Sequence, residues 1–347
     1  MSKTKVAILG STGIVGQRLV QMMQDSKEFE INALAGSDRN AGKRYGEACK
    51  WLLSSGIPDQ VSAMEIIPVS NREKVLQDVD LVFSCLPSDA GDIESKYSER
   101  VPVISKSSAH RLDKNVPLMI PGINDDHLSL IDEQRRSGKE GFIACDPNCS
   151  STQLSIILRA LEDFGVEEVF VDSLQAISGA GYPGTSAIEI TGNIIPYIQD
   201  EERKMVSEPK KILGTYGNGT IRSKNLMLHA KCSRVDVLDG HTQNLFIRLK
   251  EKFDVGDIEI SLKTFRQSEA AKRCPTSPEK YIVVTGETDR PQPRLDIMVN
   301  NGMSVVAGRI EKDQNYCKMT TVSHNTILGA AGGAVLHGEL LKLKGYV

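Results

Sequence analysis

The sequence predicts a two-domain α/β protein, with a parallel-sheet domain first and then an α+β domain whose mixed sheet is mainly antiparallel. Between residues 5 and 149, short apolar runs alternate with helical-period segments, which is typical of βαβ units. After Ser150 the strand-like runs alternate polar and apolar residues, as in a sheet with one solvated face. The length of 347 residues suits two ordinary domains.

The individual elements follow from these patterns. In the first domain we expect a helix over residues 15–23 and strands over 6–9, 31–35, 81–85, 103–104 and 142–145. In the second domain we expect helices over residues 152–164 and 185–204, and strands over 169–177, 233–238, 244–250, 281–284, 294–299 and 303–310. Residues 214–220 are rich in glycine and predict a flexible surface loop.

The last segment, residues 325–341, predicts a helix with a face of small residues between Gly329 and Gly333. Because a glycine costs a helix about 1 kcal/mol relative to alanine, this cluster indicates close approach to backbone or to a cofactor. We expect the helix to pack back onto the first domain. The predicted domains are therefore residues 1–150 together with 325–347, and residues 151–324.

Composition excludes several classes of protein. The net charge of −3, from 42 basic and 45 acidic residues, lacks the basic excess of a nucleic-acid binder. No apolar run approaches the roughly 20 residues that span a bilayer, and the first residues do not resemble a signal peptide. The seven cysteines include no Cys-x-x-Cys pair, which argues against a disulfide framework or a metal site. We therefore expect a cytoplasmic protein with no nucleic-acid, membrane or metal partner.

A glycine-rich turn follows the first strand and opens the first helix. It consists of Gly10, Ser11, Thr12, Gly13, Ile14, Val15 and Gly16. Glycines there let the backbone approach a diphosphate, and the helix N-terminus attracts the anion, so the first domain reads as a Rossmann-like dinucleotide-binding domain. The middle glycine is shifted from the usual G-x-G-x-x-G, and a turn that merely needs glycine remains an alternative. A second turn, with Ser84 and Cys85, is expected to line the same crevice.

The end of the second strand indicates which dinucleotide binds. It carries Ser37 and Arg39, whereas NAD-binding domains usually have an acidic residue there. A hydroxyl and a guanidinium suit a ribose phosphate, so we predict NADP, with Lys43 or Arg44 as further cations. Asp38 leaves NAD open, and an ordinary solvated charged loop is the remaining alternative.

Cys149 differs from the other cysteines because it comes between a predicted strand and a predicted helix. At a helix N-terminus the dipole favours the thiolate, and free N–H groups can hold an oxyanion, so Cys149 is the candidate nucleophile. Cys145, in an apolar run, reads as a core residue. His241 follows the turn Asp239-Gly240 and is the candidate proton-transfer partner. We expect surface or capping positions for the other histidines, which are His110, His127, His229, His324 and His337.

Five motifs in order resemble the aspartate-semialdehyde dehydrogenases, in their archaeal and fungal branch, over essentially the whole chain. They are the Gly10 turn, residues 147–152, residues 175–181, Arg234 seven residues before His241, and residues 325–332. The resemblance implies NADP-dependent, phosphorylating interconversion of L-aspartate 4-semialdehyde and L-4-aspartyl phosphate, in lysine, threonine and methionine biosynthesis. It also implies an NADP-binding first domain, a second domain for catalysis and dimerisation, and a homodimer or homotetramer.

The resemblance implies a role for each matching residue. Cys149 resembles the nucleophile that forms a thioacyl intermediate, Gln175 the amide that orients it, and His241 the acid/base. Arg234 resembles the ligand of the substrate carboxylate. The remaining implied contacts are phosphate with Arg111 and Asn148, substrate and phosphate with Glu201 and Lys204, and cofactor with Ser178, Gly179 and Asn325. Glu201 and Lys204 also fit a solvated i, i+3 ion pair.

The sequence departs from the family pattern at one turn. It has Pro121-Gly122-Ile123-Asn124 where the family has Pro-Glu-Val-Asn, so the resemblance implies no role for that turn.

Two alternative functions stay open. Malonyl-CoA reductase shares the scaffold and the cysteine chemistry, although Asn148 before Cys149 favours the semialdehyde enzyme. A protein of another class, a non-catalytic NADP sensor, would have no use for a thiolate at a helix start.

Overall fold

The computed structural model describes residues 2–347, and its first half contains a six-stranded parallel sheet. The strands are β1 (Thr4–Leu9), β2 (Phe29–Gly36), β3 (Ile66–Pro68), β4 (Leu81–Ser84), β5 (Val103–Ser105) and β6 (Ile143–Cys145). Their spatial order is β3-β2-β1-β4-β5-β6. The order reverses beside β1, so the carboxyl end of β1 is the switch point where sheets of this kind bind ligands.

Helices cover both faces of this sheet. They are α1 (Ile14–Met23), α2 (Tyr45–Ala48), α3 (Asp59–Ser62), α4 (Arg72–Val75), α5 (Gly91–Tyr97) and α6 (Ser129–Arg135), with short 3₁₀ turns at Asp38–Asn40, Ser88–Ala90 and Asp125–Leu128. In the central strand the run from Val6 to Leu9 is fully buried. That continuous apolar run is expected of a parallel strand with helices on both sides.

A seven-stranded mixed sheet forms the second half. Its strands are β7 (Val166–Gln175), β8 (Ile194–Ile195), β11 (Met227–Val235), β12 (His241–Leu249), β13 (Ile282–Val284), β14 (Val305–Asp313) and β15 (Tyr316–Ser323). The order is β13-β14-β15-β12-β7-β11-β8, and β9 (Thr215–Gly217) pairs separately with β10 (Thr220–Arg222). The β7–β11 and β13–β14 pairs are parallel and the other pairs are antiparallel, which confirms the predicted mainly antiparallel mixed sheet.

The second half also contains α-helices, the first of which is the next element after the last strand of the first sheet. They are α7 (Cys149–Ala160), α8 (Ala187–Ile190), α9 (Glu201–Ile212), α10 (Val255–Thr264), α11 (Glu269–Lys272) and α12 (Pro293–Asp296), with 3₁₀ turns at Glu162–Phe164, Ile177–Ala180 and Val299–Gly302. Strand β6 and helix α7 are joined by Asp146, Pro147 and Asn148. The start of α7 therefore lies just beyond the carboxyl end of β6, at the boundary between the two sheets.

The C-terminal segment returns to the first sheet, as predicted. It begins with a π-helical turn, Ile327–Ala331, and continues as α13 (Gly332–Leu343). A Cβ at Gly338 would lie 2.9 Å from the Phe83 ring and 3.0 Å from the Phe29 ring, so glycine permits the close packing of α13 on β2 and β4. The exact domain limits, 1–150 with 325–347 and 151–324, stay a prediction.

Three predicted elements were wrong. The expected helix over 185–204 is divided into α8, β8 and α9, because Gly192 has a positive φ of 66° just after α8 and Asp200 has a positive φ of 59° immediately before α9. The expected strand over 294–299 is α12 and the start of a 3₁₀ turn, because Pro293 fixes a helical φ at the first position of α12. The expected loop over 214–220 forms the β9–β10 hairpin. Strand β15 was missed, although its buried residues follow a largely two-residue period.

Within residues 2–347, no helix combines the length and apolarity needed to cross a bilayer. The same residues contain no cluster of three or more His, Cys, Asp or Glu side chains arranged to hold a metal ion.

Candidate active site

Two adjoining clefts lie between the two sheets. The glycine-turn cleft, of about 400 Å³, is lined by residues that include Gly13, Ile14, Val15, Gly16, Cys85, Ser178 and Asn325. The arginine cleft, of about 380 Å³, is lined by residues that include Ser107, Ser108, Gln175, Glu201, Lys204 and Arg234. Lys106, Arg111, Asn148, Cys149 and Gly179 line both clefts. Cys149 is therefore placed where the two clefts meet.

The glycine-turn cleft is built from backbone. Gly10 has a φ of +73°, and a Cβ there would lie 2.8 Å from the carbonyl oxygen of Cys85. A Cβ at Gly16 would lie 2.5 Å from the carbonyl oxygen of Gly10. Gly13 occupies the N-cap position of α1 and has no side chain to accept from the first-turn N–H groups. This turn fits a dinucleotide diphosphate, because the glycines keep the turn tight and leave those N–H groups for an anion.

The other residues predicted to bind the cofactor differ in burial and in whether they line the cleft. The Ser11 hydroxyl is buried and donates to Ala35 O at 3.2 Å, and Ser84 is fully buried in β4. The prediction that Ser84 contacts the cofactor is wrong for its side chain, because β4 is covered on both faces; Cys85, one residue later, does line the cleft. Ser37 and Arg39 are exposed beyond the end of β2. Their contact with a ribose phosphate stays a prediction.

Cys149 is the first residue of α7 and lies next to His241. Asn148 caps the helix, since its Oδ1 accepts hydrogen bonds from Ser150 N at 2.9 Å and Ser151 N at 3.2 Å. Cys149 Sγ is 3.2 Å from His241 Nε2. A Cβ at Gly329 would lie 2.5 Å from Cys149 Cβ, so the C-terminal segment approaches the nucleophile through a glycine. The predicted close approach of the glycine-rich face is thus confirmed.

His241 is a neutral hydrogen-bond donor in this arrangement. Its Nδ1 accepts from Ala176 N at 3.1 Å, which assigns the ring proton to Nε2, the nitrogen beside Cys149. Burial, together with the charges of Arg234 and His324, lowers the pKa of His241 to about 3. The bond to Ala176 orients the imidazole, and the Nε2 proton points to sulfur.

The Cys149 thiol is harder to ionise than the sequence predicts. We expected the helix dipole to lower its pKa, but burial, together with the charge of Glu201, raises it to about 11. Lys106, Arg111 and the Ser150 N–H act in the opposite direction. Desolvation therefore outweighs the helix terminus when the clefts contain no ligand.

Glu201 connects the polar side chains around Cys149. Its Oε1 accepts hydrogen bonds from Asn148 Nδ2 at 2.8 Å and Gln175 Nε2 at 3.0 Å, and its Oε2 is 3.7 Å from Lys204 Nζ. Its side chain is only 7% exposed. The alternative of a solvated i, i+3 pair is therefore wrong, because the carboxylate is buried and holds both predicted amides. Gln175 also donates to Ser150 Oγ at 2.8 Å.

The three predicted cations differ in their contacts. Arg111 Nη1 is 2.9 Å from Glu208 Oε1, and its Nη2 donates to the Lys106 carbonyl at 2.6 Å. Arg234 Nη1 donates to Ala176 O at 2.7 Å. Lys204 is the most exposed of the three, at 24% of its side chain. All three line the arginine cleft, and the ion pair of Arg111 with the buried Glu208, at 2.9 Å, is closer than that of Lys204 with the buried Glu201, at 3.7 Å.

Two functional residues were missed by the sequence analysis. Glu208 pairs with Arg111 and accepts from the Asn148 N–H at 2.7 Å. It lies seven residues after Glu201 on α9, so the helical period could have placed it on the same face. Lys106 lines both clefts and directly follows β5, and the carboxyl end of a parallel strand is the signal that could have found it.

Asn325 lines the glycine-turn cleft. Its Oδ1 accepts from Gly240 N at 2.9 Å, and its Nδ2 donates to Ser178 Oγ at 2.9 Å. Both groups of the amide are therefore held by the protein. Gly179 adjoins His241, since a Cβ there would lie 3.1 Å from His241 Cε1.

Three of the other histidines are buried, which corrects the surface or capping positions expected for them. They are His127, His324 and His337. His337 Nδ1 is 2.7 Å from the buried Asp146. The core position predicted for Cys145 is confirmed, as that side chain is fully buried.

This arrangement defines a class of protein, a two-domain dehydrogenase with a dinucleotide turn in one domain and a cysteine at the boundary with the other. The family model for the semialdehyde dehydrogenase NAD binding domain matches residues 5–131. The model for the semialdehyde dehydrogenase dimerisation domain matches residues 158–328. The fold class and the dinucleotide-binding domain predicted from the sequence are thereby confirmed.

Individual relatives specify the family further. The chain is 42% identical over 340 residues to an aspartate-semialdehyde dehydrogenase of Archaeoglobus fulgidus, covering 97% of each chain. A crystal structure of the Candida albicans aspartate-semialdehyde dehydrogenase with NADP superposes with a TM-score of 0.91 at 36% identity, covering 99% of this chain and 100% of that one. The chain belongs to the aspartate-semialdehyde dehydrogenase family, which confirms the resemblance in the sequence. A malonyl CoA reductase (NADP) of Metallosphaera sedula is 36% identical, over 99% of this chain and 98% of that protein.

Proposed function

We propose that this chain is an NADP-dependent, phosphorylating enzyme that interconverts L-aspartate 4-semialdehyde and L-4-aspartyl phosphate. The observation that carries the proposal is the 3.2 Å contact of Cys149 and His241 at the junction of the two clefts. A nucleophile at that point reaches both a cofactor in the glycine-turn cleft and a substrate in the arginine cleft. The archaeal and fungal relatives that carry this enzyme name over nearly their full length support the choice of substrate.

The reaction proceeds through covalent intermediates on Cys149. The sulfur attacks the aldehyde carbon and forms a C–S bond, the carbonyl π bond breaks, and the proton released by the Cys149 thiol is taken up by the oxygen to give a thiohemiacetal. NADP⁺ bound at the glycine turn, residues 10–16, would supply the hydride acceptor; loss of the hydride from that carbon and of the hydroxyl proton from the adduct gives a thioester. A phosphate oxygen then attacks the thioester carbon, the C–S bond breaks, and the thiolate and the acyl phosphate separate.

The residues around Cys149 fit these steps. The Nε2–H of His241 points to sulfur, so it can stabilise the thiolate and share its proton with the oxygen of the adduct. Arg234 and Lys204 supply positive charge in the arginine cleft, which suits a substrate carboxylate and a phosphate. Gln175 and Asn148 are held by Glu201 and fix the start of α7 that presents the nucleophile.

We also propose that the chain self-associates through its second sheet, as a dimer or a tetramer. Phe170 of β7 pairs in register with Phe246 of β12 and His229 of β11, and these side chains are exposed on one face. Exposed aromatic residues in register are typical of a protein interface. A role in lysine, threonine and methionine biosynthesis and a cytoplasmic location remain predictions.

A direct assay tests the proposed reaction. Purified protein is mixed with aspartate semialdehyde, NADP and phosphate, and NADPH absorbance is followed with a parallel cuvette that lacks phosphate. We expect phosphate-dependent NADPH formation. The 36% identity to the Metallosphaera sedula protein makes CoA-thioester reduction the second candidate. NADPH oxidation with malonyl-CoA, without activity on the semialdehyde, would select that candidate; inactivity with both substrates would revive the non-catalytic sensor.

A further inference from the structure

Lys106 places an ammonium group in the wall that the two clefts share. Its side chain is only 10% exposed. Its Nζ lies 3.2 Å from Gly329 O, 3.5 Å from Pro147 O and 3.6 Å from Asp146 Oδ2. Pro147 is two residues before Cys149, and Gly329 packs against the Cys149 side chain. The ammonium is therefore bound to backbone on two sides of the nucleophile.

Besides Arg234, whose charge also favours an ionised Cys149, the other groups near the sulfur add little positive charge. His241 is neutral and offers a hydrogen bond through Nε2. Arg111 is 2.9 Å from the Glu208 carboxylate, which offsets its charge. Glu201, on the opposite side, disfavours a thiolate. A sulfur anion at this partly buried position is stabilised by a nearby cation, because desolvation opposes the charged form.

We propose that Lys106 is a positioning residue for Cys149, and that its ammonium group, held beside the start of α7 by Asp146 and by the Pro147 and Gly329 carbonyls, stabilises the attacking thiolate. This inference rests on the proposed role of Cys149 as the nucleophile. Lys106, the residue after β5, thus supplies stabilisation of the thiolate that the N-terminus of α7 does not supply alone.

The buried charges support this role. Burial lowers the pKa of Lys106, and the charges of Asp146 and of an ionised Cys149 raise it. The ammonium and the thiolate therefore favour each other's ionisation. Burial disfavours ionised Asp146, but Lys106 and His337 hold the pKa of that carboxyl below its usual range. The ionisable groups that surround the pair are Glu201, Arg111, Arg234, Asp146, His241 and Cys85.

The test measures the ionisation of Cys149 without turnover. The full-length protein, free of substrate and cofactor, is alkylated with iodoacetamide from pH 6 to 11, and the peptide that carries Cys149 is quantified by mass spectrometry. In Lys106→Met, we expect the alkylation rate of Cys149 to fall by about tenfold at every pH between 6 and 9, the change that corresponds to a thiol pKa about one unit higher. Lys106→Arg keeps the charge and should remain close to the original profile. Lys114→Met, at an exposed lysine of the same connection, is the matched control and should change nothing.

Each outcome decides the question. If Lys106→Met leaves the pH profile of Cys149 unchanged, the proposal is overturned; a raised Michaelis constant for phosphate with that unchanged profile would make Lys106 a phosphate ligand instead. If Lys106→Met does not fold, as judged by thermal unfolding, Lys106→Gln replaces it, because the amide can still donate to Pro147 O and Gly329 O. Turnover retained by Cys149→Ala would reject the nucleophile itself, whereas the alkylation profile reports on Lys106 alone.

Discussion

The two clefts that meet at Cys149 differ in whether backbone or side chains form the binding surface. The glycine-turn cleft depends on backbone, since Gly10 and Gly16 are held by contacts that leave no space for a Cβ. The arginine cleft depends on side-chain charges, with Glu201 and Glu208 of α9 buried beneath the cations and amides that line it. A backbone site tolerates many side-chain changes around it, whereas a charged network fails when one partner is removed. The comparison therefore predicts that side-chain substitutions have smaller effects in the glycine-turn cleft than in the arginine cleft.

The largest effect is expected from removal of the sulfur that both clefts share. Cys149→Ala should abolish phosphate-dependent NADPH formation, because the thioester cannot form without Sγ. NADP binding, measured by fluorescence titration, should persist, because the glycine turn does not depend on the cysteine side chain. Cys145→Ala, at a buried cysteine four residues earlier, is the control and should retain turnover. Turnover by Cys149→Ala would show that Cys149 is not the nucleophile and that the two clefts do not share a reactive sulfur.

The same difference explains what the sequence could predict. The glycine turn is local and follows a strand, so its seven residues were placed at the correct strand end from sequence spacing alone. Five of the six strands of the parallel sheet were equally accessible, because they are short apolar runs between helical segments; β3 was not predicted. These features require no knowledge of which distant elements come together.

The charged network was less predictable because its members come from separate elements. Arg111 follows β5, Arg234 belongs to β11, and Glu201 and Glu208 share α9, whose beginning was predicted wrongly. The family motifs identified Glu201, but nothing in the local sequence revealed that Glu208 neutralises Arg111. The balance between burial and the helix dipole at Cys149 also depends on packing, which is why the expected direction of its pKa was wrong.

A second test concerns the proton at the junction. His241→Asn should lower kcat by roughly 100- to 10,000-fold, because an amide can donate a hydrogen bond but cannot transfer a proton. Since the wild-type imidazole is buried and neutral, Asn adds no charge to the site. The measurement is kcat with saturating substrates, alongside thermal unfolding. A stability loss with kcat intact would make His241 a structural residue.

The arginine cleft should respond to loss of a single charge with weaker substrate capture. Arg234→Ala removes a charge-assisted contact worth about 1.5–3 kcal/mol, so the Michaelis constant for the semialdehyde should rise about 10- to 150-fold. The Michaelis constant for NADP should change little, because Arg234 lines the arginine cleft. Arg222→Ala, at an exposed arginine of β10, serves as the control. An unchanged constant for the semialdehyde would argue against carboxylate binding by Arg234.

The smallest expected effect concerns the cofactor end, where one exposed side chain adds to a site made mostly of backbone. Arg39→Ala should raise the Michaelis constant for NADP by about tenfold, the value of one charge-assisted contact of about 1.5 kcal/mol, and leave that for NAD unchanged. We predict that α1 and the glycine turn hold the diphosphate and that Arg39 contacts the ribose phosphate, so only the affinity for NADP should depend on Arg39. Equal effects on NADP and NAD would mean that Arg39 acts through the fold of the β2 turn. No effect on either would favour Ser37 and Lys43 as the phosphate ligands and leave the backbone of the glycine-turn cleft as the principal determinant of affinity.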